Sequence, residues 1–566
     1  MKRALLVTAC LAIALAIAAA AGLAWLLGTE DGLRLVMTRA ASGSQGRLQI
    51  EEPRGALAGS VDIGRLAYEG DGFAVELRGV IGRVDLLGAL GGRVALGPLR
   101  AKSLQITLSE RKGEKRDAPV LGFGIRIADA EIDELSVLRN GERHALRSVR
   151  IEQASVDPGT PPALSAAATF ELADARFPAK GRLEIAGTLE EARATLRLDE
   201  ARASLEARAV VRPADDRPLR SLEARAGPID LSRFDAALPR TAIEVSMSGA
   251  PAAADALRGT LTARNAQAGA LDKGLAPITS LEARFATADF SALRIEALRI
   301  ALAGGGRLEG EAHASVDRVN ALLQASGIDL RALRSDLRRT ALRGPLEISL
   351  TRDSQVVDGN LSQEGMSLDA RVVRHGQRID VRRLRAAAAG GEVRGSGHID
   401  TRGDWPFRTE LTLSRFDPAA FGDYPRGQIS GTASVSGRWA GERDLRVQWA
   451  LADSILNGLS LESRGSARLA GSRVSEARIE SRLGGSHASA HGAFGRPGDE
   501  LVWTLSAPRL AEIHPGLEGR LRASGVLSGS WQQPQGRLDV LAEGLRLGDG
   551  PRLDAASAAG AARRHG

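Results

Sequence analysis

The chain has 566 residues, of which 43% are hydrophobic but only 3% aromatic, so its apolar content is mostly Ala, Leu, Val and Ile. The formal net charge is +7, but positive and negative residues alternate, as in LEARAGPIDLSRFD. A nucleic-acid binder instead gathers its cations on one face beside aromatic side chains, so nucleic-acid partners are excluded. The single cysteine, Cys10, excludes an intrachain disulfide framework and a cysteine-based zinc site.

The first element is an uncharged stretch from Ala4 to Gly28 that follows Lys2 and Arg3. A helix rising 1.5 Å per residue needs about 20 apolar residues to cross a bilayer, so residues 1–28 predict a cytoplasmic stub and a transmembrane signal anchor. The anchor residues are Leu5, Leu6, Leu11, Ile13, Leu15, Leu23, Trp25, Leu26 and Leu27.

The alternative for this stretch is a cleaved signal peptide, whose apolar region spans about 7–15 residues and ends at small residues. Residues 18–22 are small, but LAWLL extends the apolar run beyond them, which favours an uncleaved anchor. Because the basic residues precede the span, the positive-inside rule places the N-terminus in the cytoplasm. In a bacterium with two membranes the chain is then a single-pass inner-membrane protein with its bulk in the periplasm.

Residues 29–45 predict a short juxtamembrane helix or linker. Thr29 is a suitable N-cap, and Leu33, Val36 and Met37 follow at helical spacing.

From about Gly46 onward, alternation with period two indicates β-strands: a divergent β region over 46–200 and repeated units over 201–550. In ARASLEARAV, Ala203 and Leu205 point to one side while Glu206 points to the other. Short turns between strands indicate antiparallel hairpins. The residues expected on the apolar side, as candidates for lining a groove, are Leu183, Ile185, Ala203, Leu205, Leu298, Ile300 and Leu302.

The repeats have a period of about 90 residues. LSRFD occurs at 231–235 and again at 413–417, with weaker counterparts DLRALRSDL and PRLAEIHPGL. Aligning Phe234, Leu333, Phe416 and Leu510 predicts about four units. Two stretches that begin near Gly427 and Gly519, RGQISGTASVSGRW and EGRLRASGVLSGSW, also match. Residues 551–566 are expected to be disordered or a truncated end.

Glycine clusters recur in these units, in AGGGRLEGEA near Gly306, AGGEVRGSG near Gly391 and LGGSHASAHG near Gly485. Each follows one alternating segment and precedes another, which predicts turns between strands. The first cluster misses the dinucleotide-binding spacing by one residue and opens a strand, where that fingerprint opens a helix.

The sequence carries no Gly-Lys dipeptide, H-E-x-x-H or G-x-S-x-G motif. His487 and His491 in SHASAH are the best metal pair, but no third ligand follows their pattern. We therefore expect no enzyme activity, no cofactor and no metal site.

A sheet with one apolar face this long must be covered, because soluble proteins tolerate exposed apolar patches of only a few hundred Å². One solution is a row of β-sandwich domains, each unit folded onto itself. The other is a single long antiparallel sheet curled into a trough. The scarcity of aromatic residues and the absence of clear linkers favour the trough, so the predicted fold class is all-β, a transmembrane helix followed by a curled β-taco groove.

Two N-terminal stretches, WLLGTEDGLRLVMTRA and residues 48–108 beginning LQIEEPRGAL, resemble the TamB family of the AsmA-like superfamily, and the resemblance in pattern continues through the repeats. The family is the inner-membrane part of the translocation and assembly module. The resemblance implies an inner-membrane anchor and a periplasmic apolar groove that bridges both membranes. It also implies roles in moving phospholipid and assembling outer-membrane proteins, with a TamA-like outer-membrane barrel as partner. Family members are longer and end in a domain that contacts this barrel, whereas this sequence stops within a repeat, so we expect a fragment.

Three functional hypotheses follow. The first is a conduit that holds the acyl chains of phospholipid on the apolar side while head groups stay in water. The second is a periplasmic scaffold that holds outer-membrane proteins such as autotransporters by strand addition at its edges or in the groove. The third is a structural stalk of closed β-sandwich domains.

Overall fold

The computed structural model describes residues 24–562 except 71–72, 86–91, 109–123, 140–141, 173–177, 189, 201–202, 213–218, 235–237, 253–256, 288–290, 515 and 548–552. The chain divides into two compact units. The first comprises residues up to Gln267 together with Arg284–Ser291, and the second comprises Ala268–Ala283 together with residues from Ala292 onward. Both units are almost entirely β-sheet, as the alternation predicts.

The first unit opens with helix α1 (Glu30–Gly43), which begins where the sequence predicts. The Thr29 hydroxyl caps it by accepting a hydrogen bond from the Gly32 backbone N–H at 3.1 Å. Leu33 is fully buried in the apolar core of this unit, so the capped helix is packed against the sheet.

The predicted membrane anchor lies largely outside the described residues, which begin at Ala24. Among the residues that the structure does describe, no helix is both long and apolar enough to cross a bilayer.

The strands of the first unit are β1 (Leu48–Gly55), β2 (Ser60–Gly70), β3 (Phe73–Asp85), β4 (Arg93–Leu96), β5 (Leu99–Leu108), β6 (Gly124–Ile127), β7 (Ala130–Arg139), β8 (Glu142–Asp157), β9 (Ala163–Leu172), β10 (Lys180–Thr188), β11 (Ala192–Glu200), β12 (Ala203–Val211), β13 (Leu219–Ile229), β14 (Ile243–Pro251) and β15 (Leu257–Asn265). From β8 to β15 each strand pairs antiparallel with the next.

A parallel pairing interrupts this pattern, which corrects the expectation of a purely antiparallel sheet. Strand β4 runs parallel to β6, and β5 runs parallel to β7, with Leu99 opposite Ala130. Parallel neighbours need a crossover connection. Residues 109–123, which separate β5 from β6 in the sequence, lie outside the described residues. Alternation alone specifies which residues share a face, so it could not reveal the direction of a neighbouring strand.

The core of the first unit lies on one side of its sheet. Buried residues of β2, β3, β5, β7, β8 and β9 form a single cluster with Leu33 of α1, and Leu183 and Leu196 of β10 and β11 pack against that cluster. The helix therefore covers part of the apolar side of this sheet.

The second unit contains β17 (Ala292–Leu302), β18 (Arg307–Ser315), β19 (Arg318–Ile328), β20 (Leu342–Thr351), β21 (Ser354–Gln363), β22 (Met366–His375), β23 (Arg378–Ala388), β24 (Gly391–Asp400), β25 (Pro406–Phe416), β26 (Gly427–Arg438), β27 (Asp444–Leu456), β28 (Leu459–Ala470), β29 (Arg473–Leu483), β30 (Ser486–Phe494), β31 (Glu500–Ala507), β32 (Leu517–Gly529), β33 (Pro534–Leu547) and β34 (Leu553–Ala562). Strand β16 (Ile278–Thr287) contributes residues to both units.

From β17 to β34 each strand pairs antiparallel with the next one in sequence. These strands therefore form one continuous sheet. A row of sandwich domains would interrupt the pairing between repeats, so this unit is not such a row. The curled trough itself stays a prediction. Strand β34 lies in the stretch that the sequence predicted to be a disordered or truncated end.

The repeat consists of six strands, and a short helical connection marks each period. These connections are a 3-10 turn after β13 (Leu231–Arg233), helix α2 after β19 (Leu330–Leu333), a 3-10 turn after β25 (Pro418–Ala420) and helix α3 after β31 (Leu510–Ile513). Their preceding cap residues are Asp230, Asp329, Asp417 and Arg509, which are 99, 88 and 92 residues apart. The predicted period of about 90 residues is thus confirmed.

The alignment of the two LSRFD segments was wrong, however. Phe234 follows a 3-10 turn, whereas Phe416 is the last residue of β25. The structural counterparts of Phe416 are Ile229 and Ile328, which end β13 and β19. Identical pentapeptides take different positions because the aspartate that caps the turn, and not the letter match, fixes the register.

Hydrogen bonds from an aspartate and a threonine stabilise two of these connections. Asp329 Oδ1 accepts hydrogen bonds from the backbone N–H groups of Arg331 at 3.0 Å and Thr340 at 3.1 Å. The Thr340 hydroxyl donates to the Ile328 carbonyl at 2.8 Å and accepts from the Leu330 N–H at 2.9 Å. Asp230 and Thr241 make the same bonds one repeat earlier. These contacts satisfy backbone groups that leave the sheet ladder.

Replacing Thr340 with valine is expected to destabilise the connection between β19 and β20 by about 1–3 kcal/mol, because Leu330 N–H and Ile328 C=O each lose a hydrogen-bond partner. Hydrogen exchange of the Leu330 amide should accelerate accordingly. Thr412→Val on an exposed strand position is the control and should leave this amide unchanged. Unaltered exchange at Leu330 in the Thr340 variant would contradict the assignment.

The glycine clusters form turns, as predicted. Ala303–Gly305 is a 3-10 turn between β17 and β18, and Gly304 adopts a φ of +81° that a side chain rarely takes. Gly390 and Gly484 have positive φ in the corresponding turns six and twelve strands later.

Candidate functional site

The most extensive surface feature of the second unit is its apolar face, defined here as the side of β17–β33 whose large hydrophobic side chains stand opposite one another in the strand register. Along β23, β24 and β25, for example, Ile399 stands opposite both Ile379 and Phe407. A neighbouring row on β26, β27 and β28 consists of Val435, Val447 and Ala467. Register therefore joins the alternating residues of separate strands into rows that cross the sheet.

In the first unit, the sequence-predicted groove residues occupy the same kind of row. Leu183 of β10 stands opposite Leu196, and Ile185 stands opposite Ala194. Leu205 of β12 stands opposite Leu198, and Ala203, at the start of β12, stands opposite Glu200. Leu183, Ile185, Ala203 and Leu205 are all partly exposed.

In the second unit, Leu298 stands opposite Gly310 and is 8% exposed, while Ile300 stands opposite Leu308 and is partly exposed. Leu302 packs against a small buried cluster formed by Ala325, Ile328 and Leu342. These residues lie on one side of β17, where Ile300 and Leu302 are partly exposed and Leu298 is buried.

Most large side chains of the apolar face are only partly buried. Val381, Leu384, Val447, Ile479 and Leu505 are each in this intermediate state. A second layer of chain would bury such residues almost completely. Apolar surface along these strands is thus left available to another molecule.

Aromatic side chains fill places where a neighbouring strand carries glycine. Trp449 of β27 stands opposite Gly465, and a Cβ at Gly465 would lie 2.5 Å from the Trp449 ring. Trp503 of β31 stands opposite Gly525 in the same way. Covering a strand glycine with an aromatic ring compensates for the missing side chain. Each ring here lies over the glycine of the neighbouring strand and does not project from the sheet.

In each of the two units, the other side of the sheet is polar. Arg383 pairs with Asp369 at 2.6 Å and with Asp358 at 3.0 Å across three strands. Glu206, the neighbour of Leu205, lies 2.8 Å from Arg208. Pairs this exposed contribute little to stability, but they keep this side in water and help to fix the strand register.

The apolar face contains a cavity of about 300 Å³ between β23 and the end of β26. Its apolar walls are Ile379, Val381, Leu384, Phe407, Leu411 and Trp439. Gly395 and Gly397 of β24 stand opposite Leu384 and Val381. The depression exists because β24 presents no side chain where its neighbours present large ones.

Two tryptophans stand at the same edge of the apolar face, in hairpin loops six strands apart. Trp439 follows β26, is 52% exposed and packs edge-on against Phe407 with ring centroids 6.2 Å apart. Trp531 follows β32, is 57% exposed and packs edge-on against Phe494 at 4.9 Å. Sequence reasoning missed both as functional candidates, although the two matching stretches near Gly427 and Gly519 both end in these tryptophans.

Paired charges hold these loops. Asp444 accepts from Arg468 at 2.8 and 2.9 Å, and this hydrogen bonding lowers the pKa of Asp444 below its ordinary value. Asp499, whose side chain is 7% exposed, pairs with Arg473 at 2.7 Å, and that contact likewise lowers the Asp499 pKa. Both carboxylates are therefore ionised at neutral pH.

His487 and His491 are exposed and stand opposite Arg482 and Arg478 of β29. Neighbouring guanidinium groups disfavour a bound cation at that place. Within the described part of the chain, no three His, Cys, Asp or Glu side chains lie close enough to share a metal ion.

Residues 349–565 match the family model for the TamB N-terminal domain. The matched segment runs from β20 to the end of the described chain and contains the cavity and both edge tryptophans. It confirms the resemblance to the TamB family for residues 349–565, whereas the two N-terminal stretches and the repeats before residue 349 lie outside the match. No curated protein and no solved structure matches the chain significantly.

Proposed function

Because residues 349–565 are of the TamB type, we propose that this chain is an inner-membrane-anchored periplasmic protein that conducts phospholipid between the inner and outer membranes. In this proposal its apolar face carries the acyl chains, the chain supports outer-membrane biogenesis, and a TamA-like barrel is its outer-membrane partner. The role requires no catalytic residue and no cofactor.

The observation that carries the proposal is the incomplete burial of large hydrophobic side chains along the apolar face. Removing apolar surface from water yields about 25 cal/mol per Å². An acyl chain laid along these strands gains this free energy at every step, and it needs no specific contact. Because rows of similar side chains repeat from strand to strand, a bound chain has nearly equal sites on either side and can slide between them.

Charged residues on the polar side of the first unit's sheet also favour binding of acyl chains to the apolar side. Glu206 stands opposite Arg197 and Arg225 in the strand register. Placing an acyl chain there would require these charged groups to lose water without compensation. Lipid tails are therefore expected on one side only.

The proposal is tested by photocrosslinking in cells, with probes at Leu205 and Ile300 and a control probe at Glu206, followed by mass spectrometry of captured molecules. We expect phospholipid at Leu205 and Ile300 and none at Glu206. Capture of outer-membrane polypeptides alone would favour the scaffold hypothesis. Capture of nothing at any position would contradict the conduit.

A further inference from the structure

We propose that the cavity between β23 and β26 binds one acyl chain of an anionic phospholipid, and that Arg443 contacts the phosphate of its head group. This inference rests on the proposed conduit function and deepens it, since it assigns a preferred lipid class to one place on the apolar face.

The cavity accounts for the acyl chain. Its volume of about 300 Å³ is at the lower end of the range for small-ligand pockets, so it holds a segment of an alkyl chain and not a whole lipid. The two glycines of β24 form its floor, and Leu384 and Leu411 stand on either side of Gly395. A flexible methylene chain is the ligand that such an apolar depression admits.

Arg443 supplies a positive charge at the mouth of this cavity. Its guanidinium carbon lies 5.4 Å from the centroid of the Trp439 ring, and that ring lines the cavity. A ring face holds a cation without neutralising it. The charge of Arg443 is therefore kept beside apolar surface and within reach of water.

The other arginines nearby are already neutralised. Arg438 lies 3.3 Å from Asp404, and Arg468 lies 2.8 Å from Asp444. Among the described residues, no carboxylate oxygen lies within 4.0 Å of the Arg443 guanidinium. The adjacent Glu442 lies against Gly471. Arg443 is thus the cation of this loop that remains available to a ligand, and guanidinium groups pair well with phosphate.

An amphiphile satisfies both features at once. A free phosphate would leave the cavity empty, and a neutral hydrocarbon would leave Arg443 without a partner. The head group must also carry net negative charge, because a head group with its own cation supplies internally the charge that Arg443 offers.

The experiment uses the purified full chain with phosphatidylcholine vesicles that contain a small fraction of photoactivatable lipid. The photoactivatable lipid is either phosphatidylglycerol or phosphatidylcholine with the same acyl chains, and crosslinks within β23–β25 are quantified. We expect at least a threefold preference for phosphatidylglycerol. Arg443→Gln should reduce this ratio to about one, and Arg443→Lys should preserve most of it.

The matched control is Arg478→Gln, which removes one charge from an exposed residue of β29 that stands opposite Ser466 and His491. It should leave the ratio unchanged. An unchanged ratio in Arg443→Gln would overturn the inference, as would full competition by glycerol 3-phosphate, since that compound has the head-group charge but no acyl chain. Equal capture of both lipids by the unmodified chain would overturn this inference alone. Capture of neither lipid would contradict the proposed conduit itself.

Discussion

Replacing Leu411 with glutamate is expected to stop lipid at β25. Leu411 lies on the apolar face and lines its cavity, opposite Gly395 on one side and Ala433 on the other. A carboxylate there stays solvated, and an acyl chain that crosses it must either strip its water or lose contact with the sheet. The cost is several kcal/mol, while 1.4 kcal/mol already corresponds to a tenfold change in occupancy.

The measurement places photocrosslinking probes on both sides of the substitution, at Ile300 on β17 and at Leu505 on β31. In the proposed conduit, lipid that enters from the inner-membrane side should still be captured at Ile300, whereas capture at Leu505 should fall at least tenfold. The matched control is Thr412→Glu, because Thr412 is the next residue, is exposed and stands opposite Arg394. Equal capture at Leu505 in the two variants would show that lipid does not travel along this face.

Much of this face could be predicted from the sequence because period-two alternation is a local property. In ARASLEARAV, the alternation placed Leu205 and Glu206 on opposite sides, and the register confirms that placement by putting Leu205 opposite Leu198 and Glu206 opposite Arg197. The capped helix at Thr29 was likewise predictable, since a cap and its helix lie within a few residues of each other.

Features that depend on distant pairing were not predictable. The parallel pairing of β5 with β7 depends on a crossover, and alternation is the same for parallel and antiparallel neighbours. The two LSRFD segments look equivalent, yet the capping aspartate precedes the pentapeptide in the first case and is its last residue in the second. Only the hydrogen bonds that the Asp230 and Asp417 side chains accept from backbone N–H groups reveal this difference.

The site at Arg443 illustrates the same limit. GRWAGERD shows a tryptophan and several charges, but not which arginine is neutralised. The structure pairs Arg438 and Arg468 with aspartates and stacks Arg443 on Trp439. Which arginine lacks a carboxylate partner depends on residues that are distant in sequence, since Asp404 lies between β24 and β25 and Arg468 lies in β28.

Replacing Gly465 with valine is expected to displace Trp449 and to destabilise β27 and β28. A Cβ at Gly465 would lie 2.5 Å from Trp449 Cζ2 and 3.0 Å from the Arg478 carbonyl oxygen. The indole N–H also donates to the Ser463 hydroxyl at 2.9 Å, so the ring cannot move without losing this bond. Overpacking of this kind costs about 1–3 kcal/mol, and the lost hydrogen bond adds about 1 kcal/mol.

Hydrogen exchange of the β27 and β28 amides measures the effect, and Ser466→Val, at the next position on the other side of β28, is the control. Trp449→Ala combined with Gly465→Val should be less destabilised than the sum of the single variants, because the small side chain at 449 removes the clash. Strict additivity would show that the glycine is required by the backbone and not by the ring. If the displaced indole projects from the sheet, lipid capture at Leu505 should fall in Gly465→Val and recover in the double variant. That result would show that lipid movement along the apolar face requires the Trp449 ring to lie flat on the sheet.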